Sequence, residues 1–141
     1  MQLLTQYLII GLGGALGSML RFGLAMMIDT AVTNPGATKT GPLFPWGVIV
    51  VNITGCFVIG FFNGISAPDA RFILSPLIRQ FVMIGILGGY TTFSSFSLQT
   101  LNLAQDGQWW AAAANVLLSV VLCLVGVWLG AVLAGQINQI R

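Results

Sequence analysis

Apolar residues run along this chain in four blocks, each closed by a short polar, turn-rich stretch. Crossing hydrocarbon as a helix takes about 20 apolar residues. The blocks cover about 3–28, 46–65, 76–103 and 108–134, and the first is interrupted only by Arg21. They predict four transmembrane helices, hence an all-α integral membrane protein with one membrane domain over residues 1–141. Thr33-Asn34-Pro35-Gly36 and Lys39-Thr40-Gly41-Pro42 punctuate the first connection, Ser66-Ala67-Pro68-Asp69 opens the second, and Asp106-Gly107 marks the third. Trp46, Trp109 and Trp110 stand at block starts, where amphipathic rings anchor at the headgroup level. The amino end has no basic region and the first block is too long for a signal peptide, so it is expected to remain in the mature protein.

The third block departs from the pattern. Phe81 to Leu87 are apolar and the register resumes with Leu98 and Leu101. Between them lies Gly88-Gly89-Tyr90-Thr91-Thr92-Phe93-Ser94-Ser95-Phe96-Ser97, a run of glycines, hydroxyls and phenylalanines at membrane depth. Hydrocarbon offers backbone groups no partners, so irregular backbone survives there only inside protein or beside an ion or water path. The run predicts a broken third helix at a functional site.

Composition narrows the chemistry. The 141 residues are 57% hydrophobic and 6% charged, against roughly 25% charged in soluble domains. A net charge of +2 is too small to point to nucleic acid. The chain has neither His nor Glu, which removes imidazole metal sites and glutamate proton relays. Cys56 and Cys123 fall in apolar blocks and read as small packing residues rather than a disulfide or reactive pair. With four spans both ends share a side. That side carries Arg71, Arg79 and Arg141, and the other carries Lys39 and Arg21. So even a balance leaves orientation poorly specified. It fits a short chain by chance, or a chain that inserts both ways and pairs head to foot. Small-xxx-small steps, such as Gly13 and Gly17 or Gly126 and Gly130, recur in every span and allow close helix packing.

Asn52 in the second span needs a partner or a ligand, because an unpaired amide in the membrane is expensive. Asn115, Ser119 and Cys123 stand four residues apart and share one face of the fourth span, either as a packing stripe or as a polar path. These groups offer N–H and O–H donors without fixed charge. Such donors suit an anion that must bind and then leave, since conduction needs weak, repeated sites. Phe93 and Phe96 fit the same chemistry, because an aromatic ring edge carries the positive part of the quadrupole.

The third-block run resembles the signature of the Fluc fluoride channels, the CrcB family: a Gly-Gly pair, then Thr-Thr-Phe-Ser, a further hydroxyl and Phe-Ser. Gly13-Gly14-Ala15-Leu16-Gly17-Ser18-Met19-Leu20-Arg21 is similar to that family's first-span pattern, and Phe44-Pro45-Trp46-Gly47 with Asn52 to its second. The resemblance implies an antiparallel, dual-topology homodimer in the bacterial inner membrane, with two fluoride pores at the subunit interface and one central sodium ion. It implies that backbone carbonyls of Gly88 and Thr91 hold the sodium. Phe93 and Phe96 would box the fluoride, Asn52 would meet fluoride or orient a ring, and Ser94, Ser95 and Ser119 would line a polar track to which Asn115 belongs. Arg21 would sit at an aqueous vestibule. Two positions differ from the family pattern: Gln99 stands where many members carry Glu, and Cys123 where a second hydroxyl is common.

Two other readings compete. A small-multidrug-resistance-type transporter needs a carboxylate within the membrane, and Asp29, Asp69 and Asp106 all lie in connections or at block ends. A non-transporting assembly subunit would explain the glycines and amides but not the hydroxyl and phenylalanine cluster. With no nucleophile–base pair or metal cluster, an enzyme is not expected.

Overall fold

A computed structural model describes residues 2–32, 43–67, 70 and 72–139. Lys39, Arg71, Arg141, Asp69 and the turn residues 33–36 and 39–42 lie outside them, so three of the five basic residues in the orientation argument do as well.

The fold is all-helical, with four helical stretches long and apolar enough to cross a membrane. They are α1 (Gln2–Val32), α2 (Trp46–Ile65), a composite third span from Pro76 to Gln105, and α6 (Trp109–Gln139). The second has the bounds expected from its apolar block. The first and last run four or five residues further, because polar residues such as Thr30, Asn138 and Gln139 continue a helix after the apolar tract has ended.

The third span is assembled from pieces. Ser75 caps α3 (Pro76–Gln80), whose first position is a proline that has no N–H to lose. Phe81–Leu87 follows as a π-helical stretch, with hydrogen bonds spaced one residue wider than in an α-helix. A single turn, α4 (Gly88–Tyr90), leads to Thr91 and Thr92, both in extended conformation (φ/ψ −82/157° and −152/115°). Helix then resumes as α5 (Phe93–Gln105).

Glycines decide which spans touch. α1 packs along the π-helical stretch and α4, while α6 packs along α2 and also against α5. At Gly17 a β-carbon would run into the carbonyl of Ile86, and at Gly130 into that of Phe57. Gly13 thus lies against Gly85 and Gly89 against Gly14, with Gly17 backed onto Ile86 and Tyr90, across one interface; Gly60 lies against Val127, and Gly126 and Gly130 against Ile53 and Phe57, across the other. The small-xxx-small steps act within the subunit, letting backbones approach where side chains would hold them apart.

Polar groups at helix ends fix the connections. Asp29, near the end of α1, accepts the Gly47 N–H at 2.9 Å. This satisfies an orphan donor at the start of α2 and places negative charge at the positive end of the helix dipole. At the other end of α2 the Arg79 guanidinium donates to the carbonyl and hydroxyl of Ser66, and to Asn63 Oδ1 at 2.9 Å. A cation at a helix C-terminus suits the dipole for the same reason.

Candidate functional site

Where α4 stops, the ladder of helical hydrogen bonds is rerouted through Asn52. The Thr92 N–H donates to Asn52 Oδ1 at 2.8 Å, and Asn52 Nδ2 donates to the Thr92 carbonyl at 3.1 Å. One primary amide thus pairs both ways with one residue's backbone, as a neighbouring β-strand would. The interruption is left with neither a bare donor nor a bare acceptor at Thr92. In a continuous helix the Thr92 N–H would bond the Gly88 carbonyl. That carbonyl is released, and no other donor among the described residues takes it up.

The hydroxyls on either side serve the break locally. Thr91 Oγ1 donates back to the Leu87 carbonyl at 3.0 Å, closing the end of α4. Thr92 is the N-cap of α5, its Oγ1 accepting the Ser95 N–H at 3.2 Å. The same hydroxyl donates to Ser95 Oγ at 3.1 Å and lies 3.2 Å from Ser94 Oγ. Because Ser95 Oγ accepts there, its own proton remains available to an anion. Tyr90 Oη and Thr54 Oγ1 lie 2.8 Å apart, tying α2 to the turn before the break.

A cavity of about 420 Å³ opens beside the break. Asn52, Gly88, Thr91, Phe93, Phe96 and Ser119 belong to its wall, which is otherwise largely aliphatic. The rings of Phe93 and Phe96 meet at 5.3 Å between centroids with an interplanar angle of 49°. Phe96 is 8% exposed and Phe93 78%, so one ring is seated in the subunit and the other stands out from it. The edge of such a ring, unlike its face, attracts negative charge.

Behind the wall runs a directed chain of hydrogen bonds. Ser119 Oγ donates to Asn115 Oδ1 at 3.4 Å, Asn115 Nδ2 to Thr100 Oγ1 at 2.8 Å, and Thr100 Oγ1 to the Phe96 carbonyl at 2.8 Å. The Ser119–Asn115 link is long, so an acceptor in the cavity would compete well for the Ser119 proton.

Of the residues singled out from sequence, six converge on the cavity wall. Four do not. Ser94 and Ser95 lie in the first turn of α5 beside it, Asn115 is buried one turn behind Ser119, and Arg21 is half-buried on α1. Asn52, considered as an anion ligand or ring holder, has a structural task at Thr92, although one amide proton remains unspent. Thr92, Tyr90 and Thr100 were not anticipated. The signal that could have found the first is the preference of threonine for the position just ahead of a helix. Cys56 and Cys123, expected as small packing residues, both line the cavity as free thiols.

No cluster of three or more His, Cys, Asp or Glu side chains exists among the described residues. Donors near the break are carbonyls, hydroxyls and amides. They suit a monovalent cation held by carbonyls, or an anion held by N–H, O–H and ring edges, better than a divalent ion that favours carboxylates.

Comparison with known sequences agrees with this chemistry. The family described as CrcB-like protein, Camphor Resistance (CrcB), matches residues 8–131. A relative from Opitutus terrae named fluoride-specific ion channel FluC is 51% identical over 138 residues, covering 98% of both chains. One of the same name from Rhodospirillum rubrum is 55% identical over 133 residues, covering 94% of this chain and 97% of its own. A third, from Methylocella silvestris, is 49% identical over 135 residues.

Proposed function

This chain belongs to the CrcB family, and from that premise we propose that it is a fluoride-selective channel of the bacterial inner membrane that lets fluoride leave the cytoplasm and so lowers its toxicity. It is a multi-pass membrane protein and not an enzyme. The observation that carries the proposal is the break at Thr91–Thr92, opening on a largely aliphatic cavity whose wall holds a few neutral donors and two phenylalanine rings. Such a site binds a small anion by contacts weak enough to release it. A drug–proton antiporter would need a membrane-embedded carboxylate. Asp29 is engaged at the start of α2, and Asp106 follows α5 in the connection. Purified protein in liposomes should release trapped fluoride rapidly and chloride hardly at all. Equal release of both, or of neither, would remove the proposal.

The working unit is an antiparallel, dual-topology homodimer with two pores at its interface. Three features support it. Phe93 stands out of the single subunit. The buried Oε1 of Gln99 finds no hydrogen-bond donor among the described residues. The basic residues are too evenly divided to fix one orientation. A second copy, inverted, would cover the ring and complete the cavity. A reporter at the carboxyl end is expected on both sides of the membrane in comparable amounts, and its confinement to one side in active protein would count against the pairing.

Sodium fits the break as a resident ion. The released Gly88 carbonyl and the Thr91 carbonyl in extended backbone are neutral oxygen donors, the kind unwound transporter helices present to Na⁺. When bound, the ion supplies positive charge where two unwound segments meet. Stripping Na⁺ from the reconstituted protein should lower dimer stability and flux together, whereas full function after verified removal would refute a structural role.

A further inference from the structure

The cavity wall carries two thiols beside its hydroxyls, amide and rings. Cys56 on α2 and Cys123 on α6 are the chain's two cysteines. Both are half-buried and free, and both line the cavity. Their helices form the most extensive contact in the fold. Gly126 and Gly130 draw them together, and the space a side chain would occupy at Gly126 lies 3.8 Å from Cys56 Cβ. The thioether of Met83, from the π-helical stretch, is in the same wall. Two adjacent thiols held on rigid, closely packed helices make a preorganised pair. Soft sulfur ligands select soft, thiophilic metal ions over the hard cations that oxygen donors prefer.

We propose that Cys56 and Cys123 form a two-thiolate clamp for a soft d10 metal ion, and that an ion held there closes the cavity to fluoride. Binding itself is independent of the channel reading, and only the closure rests on it. With mercuric chloride, two Hg–S bonds form, two Hg–Cl bonds break, and each thiol gives its proton to solvent; nothing is oxidised or reduced. The thiolate is the ligand, so binding weakens as pH falls. The neutral dichloride suits a largely aliphatic cavity that a hydrated cation would enter poorly. The bound ion would stand in the wall shared by Phe93, Phe96 and Ser119.

The probe is mercuric chloride, applied to the purified wild-type protein and to Cys56→Ser, Cys123→Ser and the double variant. In detergent, intact mass should show one mercury per wild-type chain with both thiols protected from alkylation. In liposomes, fluoride efflux should fall by about tenfold or more, as expected when a conduction path is filled, and dithiothreitol should restore it. Each variant is compared with its own untreated flux. Either single variant should hold mercury weakly enough for a competing thiol to remove it on dilution, with less inhibition. Two mercury ions per wild-type chain, persistent alkylation of either thiol, or equal inhibition of the double variant would overturn the clamp. Protected thiols with one mercury in a protein that releases no fluoride would leave the clamp standing and remove the channel reading instead.

Discussion

Replacing Phe96 by isoleucine is expected to slow fluoride flux by about tenfold or more, the rate equivalent of losing roughly 1.4 kcal/mol of stabilisation along the path. Isoleucine keeps an apolar side chain but has no quadrupole, so what it removes is the positive ring edge. Phe96 is buried in the subunit against Phe93 and contributes to the cavity wall. Phe93→Ile should act in the same direction. Because Phe93 is largely exposed, that change should disturb the single subunit's packing far less. Methionine at either position should be milder, since its polarisable thioether adapts to the gap. Flux must be expressed per folded dimer. If both isoleucine variants conduct near normally while remaining dimeric, the rings are packing only, and the hydroxyl and amide groups are left as the path.

Asn52→Leu is the second change with a large expected effect, and it acts on folding before conduction. It would strand the N–H of Thr92, which Asn52 accepts at 2.8 Å, and remove the second bond, at 3.1 Å, to a carbonyl that as N-cap of α5 keeps its helical donor. An unsatisfied buried group costs roughly 1–3 kcal/mol, and in hydrocarbon the figure lies at the upper end or beyond. One stranded N–H and one lost bond together threaten the fold of the third span. The expected outcome is a marked loss of folded protein and of thermal stability in detergent. Asn52→Asp separates the two bonds. It keeps an acceptor for the Thr92 N–H, loses the donor to the carbonyl, and adds a charge that repels an anion. It should therefore yield more folded protein than Asn52→Leu yet conduct poorly. A leucine variant as stable as the parent would show that the amide exchange contributes little.

The four spans were legible because hydropathy reports the length of an apolar block directly, and α2 begins and ends where its block does. The interruption after Tyr90 has a visible source in Gly88-Gly89 followed by two threonines, the second of which caps α5. The π-helical stretch has none: Phe81 to Leu87 would read the same in an ordinary helix, and only packing against α1 distinguishes the two. Site residues were recognisable by type, since an amide, hydroxyls and rings are conspicuous in hydrocarbon. Their partners were not. Asn52 and Thr92 are 40 residues apart, and Asn115 reaches Thr100 from the next span. Pairing across spans depends on helix rotation, which a linear pattern leaves open. The two thiols illustrate the same gap, because neither α2 nor α6 alone indicates that Cys56 and Cys123 share one cavity wall.

The exchange between Asn52 and Thr92 also orders events in time. Synthesis delivers α2 before the third span exists, so the Asn52 amide leaves the ribosome with its eventual partner still untranslated. Thr92 emerges later with an N–H that its own span cannot satisfy. Each is a poor lodger in lipid alone, and each becomes acceptable only beside the other. Membrane integration of these two spans is therefore a joint step, in which the newcomer secures the segment inserted before it.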